Sequence, residues 1–321
     1  MKQANIYDIV LAITYNCNSR CRMCNIWKNN ENLNFNPELM NNLPSNLKYL
    51  NISGGEPFLH PELKEIVAKA KIIFPEVKII ISSNGFATGL IIAKMVELLK
   101  IDNDIGVAIS LDGIGQKHDE TRGIEGGFEK VMETVKKLKK LEKLKNIKLA
   151  FTLGDYNFDE LKKVYNLSKE LNVGFTISLV HSSENYFGQN NKIEKKEDLI
   201  NELDWLTNQE LKTWSPKKWA RAYYIHGLVY LIKNNKRILP DYSGEKNIFI
   251  DPTGKIYPND VANYEIGNLN NSNNKYNKIN KKDLPVSWMI CTARAAIKKH
   301  WLKVIGWIFI NKTLSIFSFS K

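Results

Sequence analysis

Cysteine and histidine are scarce in this sequence, which has four of the first and five of the second among its 321 residues. A disulfide framework is therefore not expected, and a chain of this length can bury one large α/β core, or two average ones, without such links. The stretch from Met1 to Asp8 is polar and lacks the long apolar run of a secretion signal. We therefore expect a cytoplasmic protein.

Acidic residues are also in deficit. The chain carries 46 Lys and Arg against 34 Asp and Glu, a formal net charge of +12 at pH 7. This excess favours phosphate-bearing or carboxylate-bearing partners or an anionic membrane surface, without choosing among them. Apolar residues at 43% and charged residues at 25% exclude a disordered chain, a collagen-like chain and a polytopic membrane protein.

Strand-like and helix-like segments alternate along the first half of the chain, which predicts an α/β fold of six βα units with a parallel sheet. Six runs rich in Ile, Val and Leu are the predicted strands, at 9–14, 47–53, 77–82, 105–111, 147–153 and 173–180. Apolar spacings of three and four residues predict helices at 61–74, 128–138, 199–211 and 217–231.

The pattern changes after Val180, so we expect a core domain at 1–181 and a second region at 182–321. In the second region, 248–256 is predicted to be a hairpin from its Asp-Pro-Thr-Gly turn, and 268–280 a low-complexity loop.

Lysines are frequent from Lys136 to Lys148. We expect them on the solvated face of the helix at 128–138 rather than at a nucleic-acid site. They are assigned no partner, and no nucleic acid is expected.

Three of the four cysteines, Cys17, Cys21 and Cys24, fall within eight residues, directly after the first predicted strand. Disulfides at this spacing are awkward and a reducing cytoplasm disfavours them, so a metal site is expected. Three thiolates can hold one 4Fe-4S cube and leave its fourth iron without a protein ligand. Zinc is the alternative, but a structural zinc takes four ligands, and Cys291 and the histidines offer no paired spacing nearby.

Three further polar motifs follow the second, third and fourth predicted strands, and a fourth motif lies just beyond the last of them. They are Ser53-Gly54-Gly55-Glu56-Pro57, Ser82-Ser83-Asn84-Gly85, Ser110-Leu111-Asp112-Gly113 and His118-Asp119-Glu120-Thr121-Arg122-Gly123. Functional groups gather at the carboxyl ends of parallel strands, so these motifs are expected to meet there. Together with CxxxCxxC, their order and spacing resemble the radical S-adenosylmethionine (SAM) superfamily, in the branch that often carries a C-terminal SPASM domain. The resemblance covers residues 9 to about 180 well and 245–295 faintly, and favours iron over zinc.

The resemblance implies a partial (β/α)6 TIM-like barrel with a C-terminal extension. It implies one oxygen-sensitive 4Fe-4S cluster on Cys17, Cys21 and Cys24, whose free iron is chelated by SAM. Reductive cleavage would give methionine and a 5′-deoxyadenosyl radical that abstracts hydrogen from an unidentified substrate, whether peptide, carbohydrate or lipid-linked. A flavodoxin or ferredoxin would supply the electron. The competing hypothesis is a non-catalytic iron–sulfur protein that binds or senses.

The resemblance also assigns residues to the SAM site. Gly54, Gly55, Glu56 and Pro57 would receive the methionyl end, with the backbone approaching at the glycines and Glu56 accepting from the ammonium group. Ser83 and Ser110 would bind the ribose or methionyl part, and Arg122 the carboxylate. For Asn84 and Asp112, turn formation is nearly as good an explanation as ligand contact.

The C-terminal region departs from the family pattern. Residues 250–258 and 266–269 are similar to the entry into a SPASM domain, yet Asn259 stands where a cysteine is expected. Since only Cys291 remains downstream, we expect a degenerate region without auxiliary clusters. Cys291 is interpreted as a buried apolar filler, with the quenching of a product radical as the alternative. His181, at the end of the sixth strand, is a candidate on the substrate side.

The tail at 293–321 has six basic residues and no acidic one, interleaved with Trp, Leu, Ile and Phe. It is interpreted as a structural element that closes one side of the barrel. The alternative is an amphipathic segment that contacts an anionic membrane or a lipid-linked substrate.

Overall fold

The computed structural model describes residues 5–29, 31–184, 186–271 and 279–317, with side chains as far as 313. The strands are Asp8–Thr14 (β1), Tyr49–Gly54 (β2), Lys78–Ser83 (β3), Gly106–Ser110 (β4), Ile147–Leu153 (β5), Gly174–Leu179 (β6), Asn247–Ile250 (β7), Lys255–Tyr257 (β8) and Gly267–Asn268 (β9). The helices are Leu63–Ile73 (α1), Thr88–Ile101 (α2), Gln116–Arg122 (α3), Gly127–Lys139 (α4), Leu161–Glu170 (α5), Lys196–Leu211 (α6), Pro216–Asn234 (α7), Ile290–Lys299 (α8) and Trp301–Phe317 (α9). Most of the predicted loop at 268–280 and the last four residues of the tail lie outside the described residues.

One sheet runs through the molecule in the order β6-β5-β4-β3-β2-β1-β7-β8-β9. The first six strands are parallel, which confirms the α/β class, and β6 does not return to β1, so the barrel is partial and open. The predicted hairpin is confirmed as β7 and β8, and β7 adds to the sheet in parallel beside β1. The Asp251 carboxylate forms its turn by accepting from the amides of Thr253 and Lys255.

Residues alternate between two environments along each of the six strands. In β5, Leu149 and Leu153 are fully buried outside the cavity, whereas Lys148 and Thr152 line the interior of the curved sheet. The interior positions of the other strands are mostly small or polar, and include Asn51, Ser53, Ser82, Ala108, Ser110, Thr176 and Ser178. Branched side chains fill a complete (β/α)8 barrel. Here the interior stays open as a cavity of about 670 Å³, a typical size for a ligand site.

Helix α4 lies close to its predicted position, but the prediction for the lysines from Lys136 to Lys148 needs a correction. Val131, Val135 and Leu138 are fully buried, and Lys136 and Lys139 are exposed, as the solvated-face interpretation requires. The helix ends at Lys139, however, and Lys148 belongs to β5, where it lines the cavity. The solvated-face prediction is therefore wrong for Lys148, because inward positions of this sheet are open rather than packed.

The basic tail forms α8 and α9, which behave differently. Helix α8 packs on β1 and β7 and closes that side of the barrel, with Arg294 Nη1 2.7 Å from Asp8 Oδ2. Helix α9 packs on α6 and α7 but leaves five large apolar residues at least 54% exposed: Trp301, Leu302, Ile305, Phe309 and Ile310. In the described part of the chain, no helix combines the length and the apolar character needed to cross a bilayer.

Candidate active site

Cys17, Cys21 and Cys24 lie in the loop after β1 and line the same end of the cavity. Each sulfur has a nitrogen donor close by: Asn84 Nδ2 at 3.9 Å from Cys17, Arg122 Nη1 at 3.6 Å from Cys21, and the Ile26 amide at 3.5 Å from Cys24. Burial raises the pKa of Cys17 and of Cys24 to about 12. Because thiolates and not thiols bind metal, both thiols must lose their protons when a metal group binds.

The donor set fits an iron–sulfur cluster. In the described residues, no three His, Cys, Asp or Glu side chains converge closely enough to hold a single metal ion. A cubane does not require that convergence, since each cysteine binds a different iron atom. Soft thiolates are the ligands such a cluster takes, and hydrogen bonds to sulfur are among the features that tune it.

The Gly-Gly-Glu turn after β2 is joined to the cysteine loop through the backbone. The Gly55 amide donates to Thr14 O at 2.7 Å and the Glu56 amide to Asn16 O at 2.8 Å. A Cβ at Gly54 would collide with Thr14 O, and one at Gly55 with Asn16 O. Both glycines are thus required by the approach of two loops, and Gly54 also has φ of +130°.

The Glu56 carboxylate is fully buried and connects the ends of β2 and β3. Its Oε2 accepts from Ser83 Oγ at 3.1 Å and from the Asn84 amide at 2.7 Å, and its Oε1 accepts from the Phe58 amide. Burial raises the pKa of Glu56 to about 7. This role was not indicated by the sequence, and the expected contact with an ammonium group of SAM stays a prediction.

Arg122 lies at the end of α3 and is paired with Asp112, which follows β4. Its Nε and Nη2 lie 2.6 and 2.5 Å from Asp112 Oδ2, while Asp112 Oδ1 accepts from the Thr152 amide. Asp112 is therefore more than a turn former, because it orients the guanidinium beside Cys21. Asp112 occupies two of the three guanidinium nitrogens that were expected to bind the SAM carboxylate. The predicted contact between Arg122 and this carboxylate therefore depends on Nη1 alone.

Tyr186 is a site residue that sequence reasoning missed. Its hydroxyl lies 3.0 Å from Ser53 Oγ and accepts from the Gly54 amide at 3.1 Å, so a residue after β6 fixes the turn after β2. Phe187 O accepts from the Asn25 amide at 2.7 Å, which ties the same segment to the cysteine loop. No sequence signal marks this contact, since it joins positions more than 130 residues apart.

His181 lines the cavity, as its position predicted, and faces Asp260. His181 Nε2 lies 3.9 Å from Asp260 Oδ2, and neither this nitrogen nor Asp260 Oδ1 has a hydrogen-bond partner among the described residues. Burial raises the pKa of Asp260. Two buried polar groups are thus left available to a ligand in the cavity, and Asp260 was not foreseen.

Asn259 directly precedes Asp260 in the chain, and Cys291 borders the cavity as Asp260 does. The Asn259 side chain, in the place of the expected cysteine, is buried and accepts from the amides of Val261 and Ala262. Cys291 is 8% exposed, packs with apolar residues and also borders the cavity. Its two interpretations, filler and radical quencher, therefore both stay predictions.

The fold and the site together define an open parallel barrel whose ligand cavity is lined by three thiols from one loop. Residues 11–168 match the sequence model of the Radical SAM superfamily, so this part of the chain is a radical SAM domain. Proteins of this superfamily use a 4Fe-4S cluster and SAM.

Named relatives carry out varied tasks. The chain is 30% identical over 174 residues to the sporulation killing factor maturation protein SkfB of Bacillus subtilis (strain 168), which is 49% of this chain and 40% of that protein. It is 27% identical over 230 residues to the GTP 3′,8-cyclase of Helicobacter pylori (strain ATCC 700392 / 26695), which is 67% of this chain and 68% of the cyclase. The chain spans less than half the length of several of the curated relatives it matches.

Solved structures show the same fold. Streptococcus suis SuiB bound to S-adenosylmethionine aligns with a TM-score of 0.61 at 15% identity, over 85% of this chain and 66% of SuiB. SuiB bound to its precursor peptide SuiA aligns with a TM-score of 0.58 at 16% identity, over 79% of this chain and 60% of SuiB.

Proposed function

We propose that this protein is a radical SAM enzyme, with Cys17, Cys21 and Cys24 holding one 4Fe-4S cluster. The observation that carries the proposal is that three thiols from one loop share a cavity with the ends of β2, β3 and β4. When bound, such a cluster supplies the electron that splits SAM into methionine and a 5′-deoxyadenosyl radical, which abstracts hydrogen from a substrate.

The chain's own residues would bind and orient the reactants. Arg122 and Asn84 place a positive charge and an amide donor beside the sulfurs of Cys21 and Cys17, where they would donate to sulfur atoms that bind iron. Gly54, Gly55 and Pro57 form the turn against which the methionyl end of SAM would lie. The hydrogen bond between Ser83 and Glu56 would hold this turn in position. Ser110, which lines the cavity, would donate to SAM.

His181 and Asp260 are proposed to contact the substrate. Both border the cavity, and each has a buried polar atom without a partner in the described residues, so a hydroxyl or amine of a ligand would satisfy them. Burying them unpaired costs free energy, which a bound polar group would offset.

The proposed substrate is a peptide, a carbohydrate or a lipid-linked molecule. SuiB and its precursor peptide support a peptide, whereas the GTP cyclase supports a small molecule. A flavodoxin or ferredoxin is proposed as electron donor, and a reducing cytoplasm as the location because free thiols persist there.

The test is the formation of 5′-deoxyadenosine by anaerobically reconstituted protein with dithionite and SAM. Wild type should produce it and Cys24→Ala should not, while Cys291→Ala, the same change outside the loop, should keep about four irons per chain. Protein that holds the cluster and yields no 5′-deoxyadenosine would be a non-catalytic iron–sulfur protein. A colourless protein would contradict both functions.

Membrane contact by α9 is a second proposed property, and the exposed apolar face carries it. Trp301, Leu302, Ile305 and Phe309 fall on one stripe of the helix, and Lys298, Lys299 and Lys303 flank its start. Exposed apolar side chains beside lysines match an anionic lipid surface.

Flotation with phosphatidylglycerol vesicles tests this contact. The double variant Trp301→Ser/Phe309→Ser should stay with the unbound protein. The control Ile72→Ser removes a more exposed apolar residue from α1, where Ile72 is 77% exposed, and should float like wild type. Equal flotation of all three proteins would contradict the proposal.

A further inference from the structure

The cavity has a second polar end, opposite the cysteine loop, at the amino-terminal ends of the strands. Asp8 and Tyr49 are the first residues of β1 and β2, and both line the cavity. Four cations from separate elements line the same cavity: Lys78 of β3, Lys148 of β5, Lys217 of α7 and Arg294 of α8. None of these residues has a part in the proposed SAM site.

The charges at this end do not balance. Asp8 is the one carboxylate among the lining residues there, and it is paired with Arg294 at 2.7 Å. Within the described residues, Lys78, Lys148 and Lys217 have no ion-pair partner. Lys78 and Lys217 are exposed and Lys148 is half-buried, so three lysine charges without an ion-pair partner border this end of the cavity, and the charge of Lys148 is the least hydrated of them.

Lys148 shows how unfavourable this arrangement is without a ligand. Burial, followed by the charges of Lys217, Arg294 and Arg221, lowers the pKa of Lys148 to about 8. A half-buried ammonium group surrounded by other cations costs free energy, which an anion placed between them would offset. Lys217 lies in the first turn of α7, whose partial positive charge adds to the attraction.

We propose that the amino-terminal end of the cavity binds a phosphate or pyrophosphate group of the substrate, held by Lys148, Lys217, Lys78 and Arg294. This inference rests on the proposed function and names the substrate class. A multiply charged group matches three uncompensated lysines better than a single carboxylate does.

The length of the cavity adds a size requirement. Lys148 and Thr152 lie four residues apart on β5, which is about 13 Å along a strand. The Thr152 amide donates a hydrogen bond to Asp112, which in turn accepts from Arg122 beside Cys21, so Thr152 lies near the cysteine end of the cavity. The substrate would therefore be a phosphorylated molecule larger than a phosphate ion, with its anionic end fixed and its reacting carbon near the cysteine loop.

Two sources would present this chemistry, a soluble phosphoester and a lipid headgroup. A single residue separates helix α8, which carries Arg294, from α9, so the basic end and the exposed apolar helix are connected. A soluble substrate needs the lysines alone, whereas a lipid-borne phosphate needs the lysines and α9.

The experiment is calorimetric titration of inorganic pyrophosphate into the full-length reconstituted protein at pH 7 and low salt. Lys148→Met, which keeps the apolar stem, should weaken binding at least tenfold, and Lys148→Arg should retain it. Lys139→Met, the same change at an exposed site on α4, should bind like wild type. Equal affinity of Lys148→Met and wild type, or no binding by wild type, would overturn the inference.

A second experiment distinguishes a soluble phosphoester from a lipid headgroup. A third experiment tests the phosphate site independently of the proposed radical SAM function. Binding to phosphatidic acid vesicles that falls in both Lys148→Met and Trp301→Ser/Phe309→Ser indicates a lipid headgroup. Dependence on Lys148 for pyrophosphate alone indicates a soluble phosphoester. Lys148→Met should still form 5′-deoxyadenosine from SAM, and Cys24→Ala should still bind pyrophosphate, so each idea can fail without the other.

Discussion

Arg122 is held by Asp112 through two nitrogens and points its third toward Cys21. The distances are 2.6 and 2.5 Å from Nε and Nη2 to Asp112 Oδ2, and 3.6 Å from Nη1 to Cys21 Sγ. Asp112 is fully buried, so the pair places a fixed positive charge beside the sulfur rather than a mobile surface charge. Arg122 contacts the sulfur and Asp112 orients Arg122, so the two roles can be separated by substituting each residue.

Arg122→Met should destabilise the apo-protein by about 3–5 kcal/mol, because it leaves the buried Asp112 carboxylate unpaired. Arg122→Met/Asp112→Asn should recover much of that stability and still lose iron faster than wild type, since the charge near Cys21 is absent. Urea unfolding and iron release to a chelator measure the two effects. The control is Lys137→Met, which breaks an exposed pair with Glu133 and should change stability by less than about 0.5 kcal/mol. Iron retention by the double variant equal to wild type would contradict the role given to Arg122.

Gly55→Ala should prevent the Gly-Gly-Glu turn from approaching the cysteine loop. The added Cβ meets the backbone oxygen of Asn16, which cannot move without displacing the loop. We expect iron content after reconstitution to fall well below the roughly four atoms of one cubane. Gly89→Ala is the matched control, because its Cβ meets nothing within 4 Å on α2 and should stabilise the helix by up to about 1 kcal/mol. Full iron loading of Gly55→Ala would show that the close approach is dispensable.

Tyr186→Phe should lose about 1–2 kcal/mol of stability and weaken SAM binding, because the hydroxyl bridges Ser53 and Gly54 while the ring only packs. Thermal unfolding and equilibrium dialysis with SAM measure the two quantities. Tyr223→Phe provides the comparison, since the buried hydroxyl of Tyr223 has no partner among the described residues and its removal should be neutral or stabilising. Unchanged SAM affinity in Tyr186→Phe would separate this tyrosine from the site.

The affinity for a phosphomonoester should fall as the pH rises from 7 to 9. Glycerol phosphate is suited to this test because its second pKa is near ~6 and it stays dianionic throughout. Burial, followed by the charges of Lys217, Arg294 and Arg221, lowers the pKa of Lys148 to about 8, so the free protein loses this charge within the range. A bound dianion raises that pKa, and binding at pH 8 should therefore take up protons, as calorimetry in buffers of different ionisation enthalpy detects. Lys148→Arg should abolish the uptake, and uptake that persists in this variant would assign the titration elsewhere.

The same pKa shift affects stability in a defined direction. Between about pH 8 and the ordinary lysine pKa, the unfolded chain holds more protons at this position than the folded one. The destabilisation by Lys148 is therefore full below pH 8 and is relieved as the pH rises through that window. Lys148→Met should be more stable than wild type at pH 7, and the difference should shrink toward pH 10.

The strands and the cysteine site could be predicted because their signals are local. Apolar runs fix the strand positions to within about two residues, and three cysteines in one loop restrict the metal chemistry. The open interior is also indicated by polar or small residues at alternate strand positions, such as Asn51, Lys148 and Ser178. The neighbouring Ile, Val and Leu residues predict strands so strongly that this alternation is easily overlooked.

The remaining site residues depend on contacts that no local pattern contains. Glu56 is satisfied by groups 27 and 28 residues away, and Tyr186 reaches a turn 132 residues earlier. Asp112 and Arg122 are only ten residues apart, yet their pairing follows from where α3 ends relative to β4. Such relationships are set by the packing of the whole sheet, so a motif identifies the residue without its partner.

The most direct test of the central claim is the electron paramagnetic resonance spectrum of the reduced, reconstituted protein with and without SAM. An iron atom without a cysteine ligand should bind SAM, so the spectrum of the reduced cluster should change when SAM is added, and Cys17→Ala, Cys21→Ala and Cys24→Ala should each lose the signal. A spectrum that SAM leaves unaltered would contradict the account.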